Sequence, residues 1–317
     1  MQFKIKNVTL DQIESEDETY RITTNEDTDD LVESFEHVGL VNPPLLIKNN
    51  SSYTIVCGFR RIFACRHLAL DNISARILSG NTAKLECAKY AIVDNAYQRS
   101  LNLVEISRAM NMLDRFMDKT KHFGIKLKAM GLPENQSLIK KIKKIDCLPT
   151  ELKNGILSNT LSLSMALELG KFDKKTGIGF AQLFNSLKLS LSKQREILTL
   201  VKEIAHRDDA PILTVLKEPE MQTILNNNHF DGNQKARKIR KYLKQVRFPI
   251  ITKAEQAFVT HLKTLNLKTG AHLIPPENFE STVYTLKFTF SSFSELQNHK
   301  ITFDALIGNP AMKTLLS

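Results

Sequence analysis

The sequence of 317 residues has no long hydrophobic run and few cysteines. No apolar stretch approaches the ~18 residues of a membrane span, and the start of the chain, Met1 to Lys6, lacks the hydrophobic core of a signal peptide. The four cysteines form no C-x-x-C pair, and none lies at zinc-ligand spacing with a histidine. Disulfides, structural zinc and a membrane partner are therefore not expected, and the predicted location is the cytoplasm.

The eight histidines include no H-x-x-x-H pair and have no acidic partner at a useful spacing. A histidine-based metal site or catalytic triad is therefore not expected. Hydrophobic residues make up 42% of the chain and charged residues 25%, near the averages for globular domains, which excludes a chain disordered as a whole. The length suggests about two domains at ~150 residues each, or three small ones.

The positive charge is concentrated in the middle of the chain. Residues 1–99 contain 11 Lys and Arg against 14 Asp and Glu, whereas residues 100–150 contain 10 against 5 and residues 151–250 contain 17 against 10. Residues 251–317 are nearly balanced, with 6 against 5. An acidic front followed by a basic centre favours a polyanion-binding surface on residues 100–250, with a solvated basic surface as the alternative.

The first ~95 residues have the pattern of a mixed α/β unit. The predicted elements are a helix at Thr28–Val38, strands at Pro44–Lys48 and Tyr53–Cys57, a helix after Gly58, a strand at Ile73–Leu78 and a helix at Thr82–Val93. The polar run between the first two strands indicates a hairpin.

From Asn102 the pattern becomes helical, because Asn102 can cap a helix and Glu105 can reach back to it as in a capping box. A short helix at Ile125–Met130, a turn at Gly131–Asn135 and a helix at Gln136–Ile145 then form a helix-turn-helix candidate. The last helix is predicted to turn Leu138, Ile139, Ile142 and Ile145 inward and Lys140, Lys141, Lys143 and Lys144 outward.

A second basic helix is predicted at residues 232–246, as either a second phosphate-contacting surface or a solvated face. Its apolar line consists of Ala236, Ile239, Leu243 and Val246. Beyond Pro249, a helix at Lys253–Leu265 and an alternating strand at Thr282–Phe290 predict a small α+β domain, with one face of the strand buried.

Two short motifs carry candidate binding chemistry. In Gly58-Phe-Arg-Arg61, the glycine lets the backbone approach a phosphate, the following helix N-terminus offers free N–H groups, and the arginines add charge-assisted contacts. Asp94 beside Asn95 offers the hard oxygen ligands that suit magnesium. The alternative for the first motif is a turn with two solvent-exposed arginines, and the alternative for the second is an ordinary polar loop.

Three motifs follow one another in the first third of the chain. They are Gly39-Leu-Val-Asn-Pro43, Gly58-Phe-Arg-Arg-Ile-Phe-Ala64 and Asp94-Asn-Ala-Tyr-Gln-Arg-Ser-Leu-Asn-Leu-Val-Glu105. They resemble the ordered motifs G-x-x-Q-P, G-E-R-R-x-R-A and E-N-x-Q-R-x-x-L-N-P-x-E of the ParB family of chromosome and plasmid partition proteins. The segment from Leu148 to Leu169 also resembles the one that follows the family's recognition helix, so the likeness covers roughly residues 1–170.

The resemblance implies a CTP-binding switch domain, a helix-turn-helix that binds a DNA site, and a C-terminal dimerising region. By motif position, Gly58, Arg60, Arg61 and Asn95 would bind CTP, and Asp94 and Asn95 would hold Mg²⁺. Phe59 and Phe63 stand where the family has Glu and Arg, and Tyr97-Gln98 where it has Gln-Arg, which leaves a weak CTPase activity open. The predicted DNA-contacting residues are Gln136, Ser137, Lys140, Lys141, Lys143 and Lys144.

The expected fold is α+β: a ParB/sulfiredoxin-like α/β domain at residues 1–99, an all-α helix-turn-helix domain at 100–248, and a small α+β domain at 249–317 that is a candidate dimer interface. The expected partners are double-stranded DNA, a second copy of the chain and a partition ATPase, at the nucleoid. The expected role is chromosome or plasmid partition or related gene regulation. The alternatives are a phosphotransferase or nuclease of the ParB/sulfiredoxin superfamily, and a DNA-binding adaptor with a vestigial nucleotide pocket.

Overall fold

The computed structural model of the protein describes residues 3–117 and 126–316. The chain divides into two compact units, Met1–Leu191 and Ser192–Ser317. Helices combine with a mixed β-sheet, so the fold is α+β, as the sequence predicts. Within the described ranges, no helix is long and apolar enough to cross a bilayer.

The first unit begins with a five-stranded sheet and its helices. Its elements in chain order are β1 (Lys4–Thr9), β2 (Ile13–Glu14), α1 (Asp29–Val38), β3 (Leu45–Asn49), β4 (Ser52–Cys57), α2 (Phe59–His67), β5 (Asn72–Leu78) and α3 (Lys84–Ala96). The strand order is β1-β5-β3-β4-β2, in which β3 pairs antiparallel with β4 and parallel with β5. The predicted strands and helices are confirmed, whereas the two edge strands, β1 and β2, were not predicted.

Alternate residues of the central strands pack into different hydrophobic clusters, because successive side chains of a strand point to opposite faces. Leu46 of β3 packs in one cluster with Ile62 of α2. Its neighbours Leu45 and Ile47 pack in the other, with Ile92 of α3. Helix α2, which follows the glycine turn after β4, and helix α3, which follows β5, therefore lie on opposite sides of the sheet.

The rest of the first unit is helical. Its helices are α4 (Leu103–Phe116), α5 (Gln136–Lys143), α6 (Thr150–Leu157), α7 (Leu163–Leu169) and α8 (Lys174–Leu187). Ile92 of α3, Met110 of α4 and Ile139 of α5 belong to one hydrophobic cluster, which crosses the predicted domain boundary at residues 99 and 100. The division into domains at residues 99 and 248 stays a prediction.

The helix-turn-helix candidate differs in detail from the sequence prediction. The predicted helix at Ile125–Met130 is a 3-10 turn at Leu127–Met130, and Ile125 lies outside the described residues. The second helix, α5, ends at Lys143 and continues as a 3-10 turn, because the Lys143 carbonyl accepts a hydrogen bond from Asn111 Nδ2 of α4 at 3.0 Å. Leu138, predicted to face inward, is 38% exposed.

The second unit contains a helical part followed by a two-stranded sheet with further helices. Its elements are α9 (Leu191–Arg207), α10 (Ile212–Leu216), α11 (Pro219–Asn226), α12 (Gly232–Arg247), α13 (Pro249–Leu265), β6 (Ala271–Ile274), β7 (Thr285–Phe288), α14 (Phe293–Ile307) and α15 (Pro310–Leu316). The strand predicted at Thr282–Phe290 is shorter than expected, and Phe290 at its predicted end is 55% exposed rather than buried. The pairing between β6 and β7 consists of four residue pairs, and this sets the length of β7.

Candidate functional site

The predicted nucleotide and metal residues line one cavity in the first unit. Gly58, Arg60, Arg61, Asp94 and Asn95 all border this space, whose volume is about 380 Å³. The volume lies within the ~300–1,000 Å³ typical of small-molecule sites. The structure therefore brings together residues that lie almost 40 positions apart in the sequence.

The glycine turn between β4 and α2 forms one wall of the cavity. Gly58 has φ +94°, a conformation that strains any residue with a side chain. A Cβ atom at this position would also lie 3.0 Å from Pro44 Cβ and 3.3 Å from Arg61 Cζ. The first N–H groups of α2, which begins at Phe59, have no acceptor within the helix and form its positive end.

The two arginines of the turn have different surroundings. Arg60 donates from Nε to Asp27 O at 2.7 Å, and its two terminal nitrogens make no hydrogen bond to any described residue. Arg61 is only 12% exposed and donates from Nη1 to Asn42 O at 3.0 Å and from Nη2 to Asp94 Oδ2 at 3.1 Å. Arg60 is thus the more available of the two for a ligand.

Asp94 and Asn95 lie in the last turn of α3, which extends beyond the predicted end of this helix. Asn95 donates from Nδ2 to Ala91 O at 2.8 Å, which leaves its side-chain oxygen free to act as a ligand. One carboxylate and one amide fit Mg²⁺, which commonly takes a few protein oxygens and completes its shell with phosphate and water. The described residues contain no group of three or more His, Cys, Asp or Glu that could hold a metal.

Arg99, which was not predicted as a site residue, also borders the cavity. It donates from Nη1 to Glu105 Oε2 at 2.7 Å and from Nη2 to Glu105 Oε1 at 2.6 Å. Glu105 is fully buried and also accepts hydrogen bonds from the backbone N–H groups of Thr24 and Asn102. The signals in the sequence were the capping box of Asn102 and Glu105, which the structure confirms, and the motif from Asp94 to Glu105, which contains both Arg99 and Glu105.

Glu105 is charged at neutral pH in spite of its burial. Burial alone would raise the pKa of this carboxyl, but the hydrogen bonds from Arg99, Thr24 and Asn102 hold its pKa below the ordinary value. The buried carboxylate therefore fixes Arg99 at the rim of the cavity.

Cys57, at the end of β4, lies beneath the glycine turn and is buried. Burial and then the negative charge of Asp94 raise the pKa of its thiol far above the ordinary value. A protonated, buried thiol is a poor nucleophile, so this cysteine does not supply a thiolate for catalysis.

The predicted DNA-contacting residues lie on or directly after α5. The Asn135 side chain caps this helix by accepting from Leu138 N at 3.0 Å, and Ile139 and Ile142 are buried. Lys143 differs from the other lysines, because its Nζ lies 2.5 Å from Asp114 Oδ2 of α4. The remaining predicted residues are exposed: Gln136, Ser137, Lys140, Lys141 and Lys144.

Comparisons with known proteins identify the first part of the chain. Residues 2–96 match the family model of the ParB N-terminal domain. The chain is 24% identical over 208 residues to the probable chromosome-partitioning protein ParB of Campylobacter jejuni, over 65% of this chain and 72% of that protein. It is 20% identical over 153 residues to the probable chromosome-partitioning protein ParB of Helicobacter pylori, over 48% of this chain and 51% of that protein, about half its length.

A solved structure that matches part of the chain is that of the C-terminally truncated chromosome-partitioning protein ParB from Caulobacter crescentus, complexed with CTP-gamma-S. It is 19% identical, with a TM-score of 0.26, and the match covers 57% of this chain and 98% of that chain. The family match over residues 2–96 includes the five cavity residues of the glycine turn and of α3. Residues 2–96 therefore match a ParB N-terminal domain, and the chain is similar to the probable chromosome-partitioning ParB proteins of these two bacteria.

Proposed function

We propose that this chain is a ParB-like DNA-binding protein whose N-terminal domain binds CTP with Mg²⁺ as a switch, and that it acts in chromosome or plasmid partition. The observation that carries the proposal is the convergence of Gly58, Arg60, Arg61, Asp94 and Asn95 on one cavity. The family match over residues 2–96 supports the same assignment.

The triphosphate would lie against the glycine turn. Gly58 allows close approach of the backbone, the N-terminus of α2 presents N–H groups and partial positive charge, and Arg60 has two terminal nitrogens without a partner among the described residues. The apolar side chains of Ile22, Leu31 and Phe35 line other parts of the same cavity and would contact the uncharged part of the nucleotide. This division of charged and apolar walls suits an amphiphilic ligand such as a nucleotide.

Asp94 and Asn95 would hold the magnesium ion through their side-chain oxygens. The metal would neutralise phosphate charge and bridge the protein to the triphosphate. Asp94 contacts Arg61, so the carboxylate that would bind metal and the guanidinium that would bind phosphate are already adjacent.

DNA would bind at α5. Gln136, Ser137, Lys140, Lys141 and Lys144 are exposed in and directly after this helix. The start of a recognition helix is where base edges are usually contacted, and lysines further along suit phosphates. Gln136 is therefore assigned to a base, and Lys140 and Lys144 to the DNA backbone.

A second copy of the chain would associate through the C-terminal part. Large apolar side chains are exposed there at Phe290 (55%), Phe293 (73%) and Ile301 (61%), which is typical of a surface covered by a partner. A partition ATPase as a further partner is supported only by the likeness to ParB proteins.

Isothermal titration calorimetry with CTP, ATP and GTP, with and without Mg²⁺, tests the nucleotide site. We expect binding that requires Mg²⁺ and favours CTP. Arg60→Ala should weaken it by about tenfold or more, because a charge-assisted hydrogen bond to phosphate contributes about 1.5–3 kcal/mol. Lys48→Ala is the matched control, since Lys48 is an exposed cation of β3 outside the cavity.

The other outcomes separate the alternatives. If no nucleotide binds under any condition, the pocket is vestigial and the chain is a DNA-binding adaptor. If nucleotide is consumed rapidly, or if a phosphoryl group passes to an added acceptor, the chain is an enzyme of the wider superfamily.

A further inference from the structure

Helix α12 of the second unit carries an unusual concentration of positive charge. Between Gly232 and Arg247 the sequence contains seven Lys and Arg residues and no Asp or Glu. Ala236, Ile239 and Leu243 form the buried side of this helix, so the charged side chains occupy the rest of its circumference. A capping box at Asp231 and Gln234 fixes the start of the helix.

Some of this charge is neutralised within the unit. Glu196 of α9 accepts from Arg240 Nε at 2.7 Å, and its Oε1 lies 3.0 Å from Lys244 Nζ. Glu203 of α9 pairs with Arg247 at 2.8 Å. Burial would raise the pKa of Glu196, but Lys244 and Arg240 hold its pKa below the ordinary value, so Glu196 is charged.

Two further lysines of α12 have local partners that do not cancel their charge. Lys235 Nζ donates to Leu225 O at 2.7 Å, and Lys238 Nζ lies 4.4 Å from the centre of the Phe230 ring. Arg237 and Lys241 are exposed and form no ion pair or hydrogen bond with any described residue. They are four residues apart and thus lie on one face of the helix.

Arg237 and Lys241 border a basic cleft, together with the paired residues Arg240 and Lys244. These four residues line a space of about 560 Å³ between α12, α13 and the turn at Glu277–Phe279. Glu255 and Glu280 also line this space. These two exposed carboxylates offset part of the positive charge that lines the cleft, so the charge left for an anion is that of Arg237 and Lys241, which pair with no described carboxylate.

The spacing of the unpaired cations of α12 fits the phosphate spacing of duplex DNA. Arg237 and Lys241 are four residues apart, which corresponds to about 6 Å along an α-helix. Each strand of duplex DNA carries one phosphate per about 3.4 Å of helix axis, so these two side chains can reach neighbouring phosphates of one strand. Arginine and lysine side chains without protein partners can contact such phosphates without displacing an existing ion pair.

We infer that α12 binds the sugar-phosphate backbone of duplex DNA independently of sequence, as a second DNA surface in addition to α5. Arg247 covers one face of the Phe248 ring, with 4.7 Å between the guanidinium carbon and the ring centre, and Phe248 is the one aromatic side chain among the described residues that line the cleft. Proteins that bind single strands stack successive bases on several aromatic rings. The surface therefore fits a duplex better than a single strand. The inference does not depend on the nucleotide site.

The test is fluorescence anisotropy of the full chain with a labelled duplex of random sequence at several salt concentrations. Neutralising a phosphate releases counterions, so each lost contact lowers the slope of log K against log salt by about 0.9. Arg237→Ala with Lys241→Ala should flatten this slope by up to about two units. The control is Lys263→Ala with Lys268→Ala, which removes the same charge from exposed positions of the same unit and should leave the slope unchanged.

Two further measurements on the Arg237/Lys241 variant separate the loss of a DNA contact from other effects. Thermal unfolding of the Arg237/Lys241 variant should match the wild type, because neither side chain has an ion pair or hydrogen bond with a described residue. Calorimetric titration with CTP should also be unchanged, which separates this inference from the nucleotide site. A wild-type salt slope in the variant, or a defect seen only with a single-stranded oligonucleotide, would overturn the inference.

Discussion

Arg61 and Asp94 form an ion pair with each other inside the cavity, with 3.1 Å between Nη2 and Oδ2. From the sequence they were assigned to different ligands, phosphate for Arg61 and magnesium for Asp94. A metal that takes the carboxylate leaves the guanidinium free for phosphate, and a phosphate that takes the guanidinium leaves the carboxylate free for metal. The contact therefore favours joint binding of the two ligands over binding of either one alone.

Asp94→Ala should accordingly abolish the magnesium dependence of nucleotide binding. The variant loses one metal ligand, and Arg61 loses the partner that competes with phosphate, so affinity without Mg²⁺ should be equal to or higher than that of the wild type. Calorimetric titration with CTP measures the affinity of each variant without Mg²⁺ and at millimolar Mg²⁺. Glu86→Ala, another acidic residue of α3 but one that does not border the cavity, is the control. Tighter binding of the Asp94 variant with Mg²⁺ than without would assign the metal to other residues.

Arg61→Ala should lower both nucleotide affinity and fold stability, whereas Arg60→Ala should lower nucleotide affinity alone. Arg61 donates to the backbone carbonyls of Asn42 and Pro43, so its loss removes partly buried charged hydrogen bonds as well as a phosphate contact. We expect a decrease of about 1–3 kcal/mol in the free energy of unfolding. Urea denaturation monitored by circular dichroism measures it. Equal stability of the Arg60 and Arg61 variants would show that Arg61 has no structural role.

The sequence singled out five of the residues that border the cavity, but not how they contact one another. Glycine after a strand and arginines at a helix start leave a local pattern, and the ion pair of Arg61 and Asp94 depends on how α2 and α3 pack on the sheet. Two further contacts also depend on packing. The Tyr97 hydroxyl donates to Ala129 O at 3.0 Å, and a Cβ atom at Gly131 would lie 2.8 Å from Ala96 Cβ. These contacts join the end of α3 to the turn before α5, over a distance in sequence that no local pattern encodes.

Edge strands and helix ends were the other weak points of the prediction. β1, with the sequence Lys-Ile-Lys-Asn-Val-Thr, buries one residue in six and lacks a clear alternation of polar and apolar side chains. The end of α5 was predicted two residues too late, because the side chains of α4 that bind the Lys143 carbonyl come from a distant part of the sequence.

Glu105→Gln should destabilise the first unit by about 3 kcal/mol, because Arg99 loses its carboxylate and one buried acceptor becomes a donor. The folded-state pKa of Glu105 is below its ordinary value of 4.5, so the carboxylate stabilises the fold above that pH, and this stabilisation is lost as pH falls through the folded pKa. Urea denaturation between pH 7 and pH 3 measures this. The wild type should lose more stability than the variant over this range. Glu134→Gln, at an exposed position, is the control and should follow the wild type.

Lys140→Ala with Lys144→Ala should flatten the salt dependence of DNA binding by up to about two units and weaken all sequences alike, because both side chains are exposed at phosphate-contacting positions. Gln136→Ala should instead reduce the difference between a selected site and a scrambled duplex, by about 1–3 kcal/mol if the glutamine makes a bidentate contact with a base. Lys143→Ala should change the slope less than either lysine of the pair, since Asp114 already neutralises Lys143. Fluorescence anisotropy on both duplexes at several salt concentrations measures all three effects, with Lys171→Ala and Lys175→Ala, exposed near the start of α8, as the charge-matched control. An unaltered slope in the Lys140/Lys144 variant would mean that α5 does not lie on DNA, whichever surface of the chain then binds it.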